Sequence, residues 1–295
     1  MVRQCVTLAT LRRAKRAKSL ELLTPFRCPR RRQPASATPF RMTKASKGRA
    51  KLAMAPGISV WVLEAPDGFG EADFHAHHAI QVTACLAGEL TLSTATQALS
   101  GAAIAVAADA RHRFAAAGLL AFIFVEPESR LGRGLQRSVF DGRQLAPVAS
   151  PAFAAAIDPL RSAFSASLTR DQLLAAGQAA VHALAPATQA PTPDPRVQHI
   201  IATATANLDR PLSLADAATG IYLSPSRLRH LFVEQTGLAF KTYLLWLRLV
   251  RAVTLYAEGA TLTEAAHAAG FSDSAHFSRI FKRTFGLPAT TLTRL

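Results

Sequence analysis

Three histidines in the first half of the sequence have a spacing that could bind a metal ion. His75 and His77 are two residues apart, and His112 follows a later apolar stretch. On a β-strand such a pair lies on one face of the sheet, and His112 on a following strand could add a third nitrogen. Three imidazoles suit zinc, nickel, copper or iron. Alternatively, the rings could offer hydrogen bonds to a small organic molecule, or be solvated without a role.

A second set of polar side chains lies near the end of the chain, on one side of a predicted helix. Ser272 and Asp273 are residue types that cap a helix start, and Gly286 is typical of a helix end. The apolar side comprises Phe277, Ile280, Phe281 and Phe285. The polar side comprises Ser274, His276, Ser278, Arg279, Lys282 and Arg283. Such a helix fits the major groove of DNA, where Arg reads guanine and other polar groups contact phosphates or base edges.

The elements that would position this helix occur twice. Ser213–Ala218 parallels Thr261–Ala266, and residues 224–238 parallel residues 273–287. Each copy predicts a short helix, a turn and a second helix, which together form a helix-turn-helix module. The long apolar-periodic run Phe240–Glu258 predicts one helix that connects the two modules.

The two copies differ at the turn. The second helices are predicted over Ser226–Gln235 and Ser274–Thr284, but Tyr222 takes the place of Gly270 in the first copy. A non-glycine residue at positive φ would cost ~1 to 2 kcal/mol. We therefore expect either strain at Tyr222 or a first turn of another shape.

The last hundred residues, Arg196–Leu295, resemble the DNA-binding domain of the AraC/XylS family of bacterial transcription regulators. The resemblance rests on the Arg-x-x-Arg-Ala run at Arg248 to Ala252 and on the second module, which reads A-x-x-x-G-F-S and then F-S-R-x-F-K-R-x-F-G-x-P. It implies that double-stranded DNA is a partner, that the protein is a homodimer, and that RNA polymerase is a further partner if the protein is an activator.

The same resemblance implies roles for individual side chains. It places base-reading positions at Ser226, Arg227 and His230 in the first module and at Ala275, His276 and Arg279 in the second. Phosphate contacts or helix flanks fall on Arg229, Ser274, Ser278, Lys282 and Arg283. Ala275 can offer a base only a methyl contact, so we expect the second helix to read fewer bases than usual.

Upstream, the stretch from Ile58 to Glu126 alternates short apolar runs with Gly, Pro and Asp, which predicts a small β-sandwich or barrel. The Ala-Gly-Glu at residues 87–89 predicts a hairpin. Within this stretch the sequence resembles both halves of a cupin motif: His75, His77 and His112 match metal-ligand positions, and Gln81 takes the place of a Glu. In the AraC family such a barrel commonly senses an effector and dimerises. The resemblance thus implies an effector site that comprises His75, His77, Gln81 and His112.

The segments after the strands have a different character. Arg130 to Arg143 predicts a Gly/Arg-rich loop, and Ala152 to Phe164 and Arg170 to Leu184 predict helices that form a dimer surface or pack internally. Residues 185–195 contain four prolines and predict a semi-rigid linker.

Charge is concentrated at the start of the chain. The formal net charge is +15, but the first 51 residues carry 15 of the 34 Lys and Arg and one of the 19 acidic residues. Residues 1–50 therefore predict a basic, disordered extension. It could add unspecific phosphate contacts, act as a transit peptide, or not be translated if translation begins at Met42 or Met54. No apolar run reaches 18 residues, which predicts a cytoplasmic protein without membrane contact, and three cysteines are too few for a disulfide framework.

Together these observations predict an α+β protein of two domains: a cupin-like β-barrel with a helical extension, over residues 51–184, and an all-α domain with two helix-turn-helix modules, over residues 196–295. The predicted function is a sequence-specific transcription regulator that responds to a small-molecule effector. The alternative is a cupin-type metalloenzyme fused to a DNA-binding domain. A regulator without enzymatic activity is favoured because Gln81 replaces the usual acidic ligand and no catalytic motif is evident; the one cofactor considered is a divalent metal in the barrel.

Overall fold

A computed structural model describes residues 48–69, 72–185 and 192–291. Most of the predicted basic extension and residues 186–191 of the predicted linker lie outside these ranges. The described residues belong to one compact unit. The sheet begins at Arg49, two residues before the predicted domain boundary at residue 51.

The first part of the described chain is an antiparallel sheet of seven strands. The strands are β1 (Arg49–Ala55), β2 (Ile58–Ala65), β3 (Ile80–Ser93), β4 (Ala98–Ser100), β5 (Ala103–Val106), β6 (Arg113–Val125) and β7 (Leu145–Pro147). Their order is β1-β2-β6-β3-β5-β7, and β4 pairs with the far part of β3. Among the described strands no pairing joins β1 to β7. The sheet is therefore open, and its hydrogen bonds do not close the predicted barrel.

Both faces of the central strands are buried. Ile80, Val82 and Ala84 alternate along β3 and share one apolar cluster with Val60 of β2. The intervening positions face the other side of the sheet, where Phe124 of β6 belongs to a second cluster. The two-residue period of strand side chains thus gives the sheet two distinct apolar surfaces, each covered by helices.

The predicted hairpin at residues 87–89 is wrong. β3 continues through this point with a bulge between Cys85 and Ala87, and Gly88 pairs with Gly118 of β6. Both glycines have positive φ, and a Cβ atom on either one would lie 2.1 Å from a backbone oxygen of the partner strand. Gly88 therefore permits a close crossing of two long strands, a role of glycine that sequence alone does not separate from a turn.

The predicted loop at residues 130–143 is also wrong. It contains α1 (Arg130–Leu135) followed by one turn of π-helix over Gln136–Phe140. The Ser129 hydroxyl accepts a hydrogen bond from the Gly132 amide and caps the helix. At Gly132 a side chain would collide with the Glu126 backbone, so glycine serves packing here and does not mark a loop.

Two further helices cover the sheet face that carries Val60. They are α2 (Pro151–Ile157), which continues as a 3₁₀ turn through Ser162, and α3 (Arg170–Leu184), which begins in a capping box at Thr169. At Gly177 of α3 a Cβ atom would lie 2.3 Å from the Val60 side chain. α3 therefore packs closely on the sheet, which corresponds to the internal packing that was one of its two predicted roles.

The rest of the described chain is helical. The helices are α4 (Pro195–Ala206), α5 (Leu214–Ala217), α6 (Pro225–Thr236), α7 (Phe240–Ala257), α8 (Leu262–Ala268) and α9 (Ser274–Phe285). Capping boxes at Ser213 and Thr261 start α5 and α8. Gly237 and Gly286 end α6 and α9 in the left-handed conformation. α6, α7 and α9 lie within two residues of their predicted bounds.

The first turn avoids the strain considered for Tyr222. Gly220 takes the positive φ there, as Gly270 does in the second turn, and Tyr222 is not among the described non-glycine residues with positive φ. The Tyr222 side chain is 98% exposed. The required glycine thus lies two residues earlier than the alignment of the two copies indicated.

The helices join the sheet through an aromatic contact. Phe285 of α9 lies 4.9 Å from Trp61 and 5.6 Å from Phe124, measured between ring centroids. These residues belong to one apolar cluster that extends from the sheet into the helical region. Within the described ranges, no helix is long and apolar enough to cross a membrane.

Candidate DNA interface and histidine cluster

α6 presents its polar side chains to solvent. Leu228 and Phe232 are buried against the neighbouring helices, whereas the predicted DNA contacts Ser226, Arg227, Arg229 and His230 are all exposed. The Ser224 hydroxyl caps the helix, and Pro225 occupies its first turn, where proline is tolerated. Packing and capping therefore fix the helix while its cationic side stays free of the core.

α9 has the same division of faces. Phe277, Phe281 and Phe285 are buried, whereas Ala275, Arg279, Lys282 and Arg283 are exposed and Ser274, His276 and Ser278 are half-buried. The Ser278 hydroxyl donates to the Ser274 carbonyl at 2.8 Å, and the ring of His276 lies 3.2 Å from the Ser272 hydroxyl. The two arginines and Lys282 are therefore the outward cations of this helix.

Unlike α6, α9 faces the sheet region across a cleft. Lys282 Nζ lies 3.1 Å from Asp73 Oδ2, and the Asp73 amide donates to the Gly286 carbonyl at 3.2 Å. The cleft has a volume of about 570 Å³, and its lining includes Asp73, Phe74, Ser278, Arg279, Lys282 and Arg283. Sequence reasoning missed Asp73 and Phe74, because no local pattern links them to a helix some 200 positions later.

The three predicted histidines come together. His75 and His112 form an isolated antiparallel bridge, each amide donating to the other's carbonyl at 2.9 Å. Ring centroids lie 4.3 Å apart for His75 and His112 and 5.1 Å apart for His77 and His112. One ring nitrogen from each of the three lies within 4.8 Å of the others, and all three side chains are buried. We call these residues the histidine cluster.

Backbone carbonyls orient all three rings. Nδ1 of His75 donates to the Asp73 carbonyl, Nδ1 of His77 to the Ala79 carbonyl and Nδ1 of His112 to the Ala110 carbonyl, at 2.8 to 2.9 Å. A carbonyl can only accept, so the hydrogen of each neutral ring is on Nδ1 and each Nε2 keeps a lone pair. Nε2 of His112 is buried and has no hydrogen-bond partner within the described part of the chain.

Gln81 borders the cluster. Its side-chain amide lies 2.9 Å from His77 Nε2 and 2.7 Å from the Thr83 hydroxyl. Because His77 Nε2 offers a lone pair, the favourable partner is the amide NH₂, brought to it by a 180° rotation of the amide group. The amide oxygen would then accept from Thr83.

The environment keeps the cluster uncharged. Burial and the neighbouring His77 lower the pKa of His75 to about 4. Burial also lowers the pKa of His77, and burial together with the other two histidines lowers that of His112. Neutral imidazoles bind metal ions, and acceptor lone pairs in a buried site suit either a metal ion or a hydrogen-bond donor.

A second polar contact lies between the sheet and α7. His78 Nε2 lies 2.9 Å from Glu128 Oε2, and the Tyr243 hydroxyl donates to Glu128 Oε1 at 2.5 Å. Burial lowers the pKa of His78, but the carboxylates of Asp109 and Glu128 outweigh this and raise it to about 9. Sequence reasoning missed this set, because no local pattern links His78 to Glu128 or to Tyr243, which lie far away in the sequence.

Comparison with known proteins identifies the helical region. Residues 217–294 match the family model described as a helix-turn-helix domain. The transcriptional regulator GbdR of Pseudomonas aeruginosa is 34% identical over 98 residues, which cover 33% of this chain and 27% of GbdR. The transcriptional activator RhaS of Escherichia fergusonii is 36% identical over 94 residues, which cover 32% of this chain and 34% of RhaS.

The C-terminal third of the chain is therefore a DNA-binding helix-turn-helix domain. The relatives that share this domain are transcription regulators, as the resemblance to the AraC/XylS family predicts. The matched part spans about a third or less of these relatives.

One solved structure extends the similarity to the sheet. ToxT from Vibrio cholerae superposes with a TM-score of 0.53 at 13% identity, over 80% of this chain and 98% of ToxT. This likeness establishes a shared arrangement of an antiparallel sheet followed by helices. A further ToxT structure contains an unsaturated fatty acid.

Proposed function

We propose that the whole chain is a sequence-specific transcription regulator that binds double-stranded DNA through α6 and α9. The observation that carries this proposal is the set of exposed polar side chains on α6, a capped helix inside the matched helix-turn-helix domain. Such a helix can enter a major groove with its first two turns against base edges. It is accessible without any change in the described structure.

In this proposal the two helix pairs, α5 with α6 and α8 with α9, are two helix-turn-helix modules joined by α7. Base contacts fall on Ser226, Arg227, His230, Ala275, His276 and Arg279, and phosphate contacts on Arg229, Ser274, Ser278, Lys282 and Arg283. The rigid 18-residue α7 sets the spacing of the modules. The site on DNA is then asymmetric for each monomer and covers two successive major grooves.

The sheet region is proposed to be a cupin-like effector domain. Its effector site comprises His75, His77, Gln81 and His112, which are buried and adjacent. A small molecule that meets these groups would contact three lone pairs and one amide. The fatty acid in ToxT is a precedent for a ligand in a protein of this architecture. Because ToxT is only 13% identical to this chain, the likeness supports a shared fold and not a shared ligand.

The remaining parts of the proposal follow from the family. We place the protein in the cytoplasm as a homodimer, with RNA polymerase as a partner if it activates transcription. Residues 51–184 are assigned to sensing, 185–195 to the linker and 196–295 to DNA binding. We assign no enzymatic activity, because the domain relatives are regulators.

Genome-wide mapping of the full chain's binding sites tests this function. We expect a small number of strong sites with a common asymmetric motif, and a reporter gene placed beside one of them should change its expression when the chain is produced. An Arg227→Ala, Arg279→Ala double variant should lose these sites. A uniform distribution of the wild type over the genome would reject sequence-specific regulation.

A further inference from the structure

We propose that the effector is a divalent transition-metal ion bound by Nε2 of His75, His77 and His112, and that its binding releases α9 from the sheet region. This inference rests on the proposed function, because it names the ligand class and the mode of regulation of the same effector site. It goes further in linking that site to the DNA-reading helix by named contacts.

The histidine cluster is built for a cation. Each Nδ1–H is held by a backbone carbonyl, which is the outer support that fixes the tautomer of metal-ligating histidines. The three Nε2 atoms are left with lone pairs, and that of His112 is fully buried and unpartnered within the described residues. A site lined by neutral acceptors matches a positive ion better than a molecule that brings acceptors of its own.

The donor set also selects the kind of ion. Three imidazoles suit zinc, nickel, copper or iron(II), whereas magnesium and calcium require oxygen ligands. Gln81 beside His77 can turn its amide oxygen inward as a weak fourth ligand. The chemistry thus points to a first-row transition metal and excludes the alkaline-earth ions as the signal.

Metal binding must move at least one ring. The ligand nitrogens are up to 4.8 Å apart, whereas metal–nitrogen bonds of about 2.0–2.1 Å hold two ligand nitrogens no more than about 4.2 Å apart. The rings of His75 and His77 are the farthest apart in the cluster, 5.8 Å between centroids, and both lie beside α9, His77 at 6.0 Å from the Phe285 ring. A Cβ atom on Gly286 would lie 2.5 Å from His75 Nδ1, so the ring rests directly on the end of α9.

Asp73 connects the ring to the helix. Its carbonyl accepts from His75 Nδ1, its amide donates to the Gly286 carbonyl, and its carboxylate pairs with Lys282. A shift of His75 toward the metal therefore pulls on a residue that holds α9 at two points. Asp73 and Phe74 line one cleft with Arg279, Lys282 and Arg283, and the Asp73 carboxylate holds Lys282 while the two arginines stay exposed.

The expected consequence is an increase in DNA affinity when metal binds. Release of Lys282 from Asp73 frees a cation for phosphate and removes a negative charge from the DNA-facing side. Allosteric couplings of this kind change affinity by roughly 5- to 150-fold. Without metal, DNA binding relies mainly on α6.

The first experiment measures metal binding directly. The full chain, stripped with chelator, is titrated with Zn²⁺, Ni²⁺, Co²⁺ and, as the control ion, Mg²⁺, and bound metal is determined by elemental analysis after dialysis. We expect one transition-metal ion per chain, no Mg²⁺, and a visible ligand-field absorption band with Co²⁺. His112→Ala should abolish binding, Gln81→Glu should tighten it about tenfold or more, and the surface variant His182→Ala should leave it unchanged.

The Co²⁺ spectrum is read on the wild-type chain, so it decides the matter even if His112→Ala does not fold. Binding of no transition-metal ion, or binding that persists in a folded His75→Ala, His77→Ala variant, overturns the metal site.

The second experiment measures the coupling. DNA affinity of the full chain for its mapped site is compared with and without one equivalent of metal, and we expect at least a fivefold increase. Asp73→Asn keeps the carbonyl that orients His75 but removes the carboxylate, so it should raise the metal-free affinity and reduce the response while metal stoichiometry is retained. Specific DNA binding with the same affinity in the presence and absence of metal overturns this inference but leaves the proposed regulator function standing. Absence of any specific binding rejects the proposed function instead.

Discussion

The Tyr243 hydroxyl donates a hydrogen bond of 2.5 Å to the carboxylate of Glu128, and both groups are buried. Tyr243 belongs to α7, the helix between the two predicted modules, and Glu128 follows the last residue of β6 by three positions. The contact therefore ties the connecting helix of the DNA-binding region to the sheet. Glu128 also binds His78, so one carboxylate joins both parts of the chain.

Removal of this hydroxyl should destabilise the protein. Tyr243→Phe leaves Glu128 with one donor fewer in a buried site, and we expect a loss of about 1–3 kcal/mol in the free energy of unfolding. Urea denaturation of the full chain measures the change. The control is Tyr222→Phe, which removes a hydroxyl from a fully exposed ring and should alter stability by less than about 0.5 kcal/mol. Equal losses of stability in the two variants would show that the buried Tyr243–Glu128 hydrogen bond does not stabilise the fold.

The stabilisation contributed by Glu126 should fall as the pH rises from 5 to 8, whereas the lowered pKa values of the histidine cluster act in the opposite direction below pH 6.5. Burial and the neighbouring Glu128 carboxylate raise the pKa of Glu126 from 4.5 to about 7, although His78 acts in the opposite direction. A raised pKa means that the neutral form fits the folded state, so its stabilisation is complete below pH 4.5 and is lost as the pH passes 7.

The variant Glu126→Gln checks this dependence because it keeps the shape and stays neutral. It should be more stable than the wild type at pH 8, by about 1–3 kcal/mol, and this difference should shrink as the pH falls to 5. Thermal unfolding across this range gives the measurement. A variant that follows the wild-type curve would show that Glu126 ionises as freely in the folded chain as in the unfolded one.

Two glycines at equivalent helix ends separate local strain from contact with the sheet. Gly237 after α6 and Gly286 after α9 both have positive φ. A Cβ atom on Gly237 would have no neighbour within 4 Å, whereas a Cβ atom on Gly286 would meet His75 and Asp73. Gly237→Ala should cost only the left-handed strain of about 1–2 kcal/mol. Gly286→Ala should cost more, since it must also push α9 away from the Asp73–His75 segment.

Unfolding by urea and DNA affinity in the absence of metal are measured for both glycine variants. The displaced α9 of Gly286→Ala should bind DNA more tightly than that of the wild type. Identical stability losses for the two variants would mean that α9 does not rest on this segment.

Readout and positioning on α9 should separate by mutation. Arg279→Ala should cost roughly 1 to 3 kcal/mol of specific binding and relax the preference at one or two bases. Lys282→Ala should weaken binding to all sequences alike and make the salt dependence shallower by about one unit. Competition binding at several salt concentrations distinguishes the two. Equal losses on specific and random DNA for both variants would refute the assignment.

How much of this molecule could be predicted from the sequence depended on the range of the interactions. α6, α7 and α9 were placed within two residues because their caps and apolar periodicity are local. Gly88 and Gly132 were misjudged because their close contacts come from a neighbouring strand and from the Glu126 backbone. Glycine in a sequence signals conformational freedom, but not which partner requires it.

The candidate site divides in the same way. The structure does bring His75, His77 and His112 together, but the predicted strand face is wrong: His75 and His112 form an isolated bridge, and His77 lies outside the strands. The pairing of Asp73 with Lys282 joins residues more than 200 positions apart, and it depends on how α9 packs against Trp61 and Phe124. Such a contact becomes visible only after both regions are folded and docked.

In the proposed function the chain reads DNA through two helices, α6 and α9, that the rigid helix α7 holds apart. Footprinting of the full chain on its strongest mapped site tests it most directly, with affinity for that site and for scrambled DNA of equal length measured at the same physiological salt concentration. We expect protection of two successive major grooves per monomer, ~34 Å apart on one face of the duplex, and a preference of at least ~10³-fold for the mapped site. Equal affinity for both DNAs, or protection of one groove alone, would contradict it.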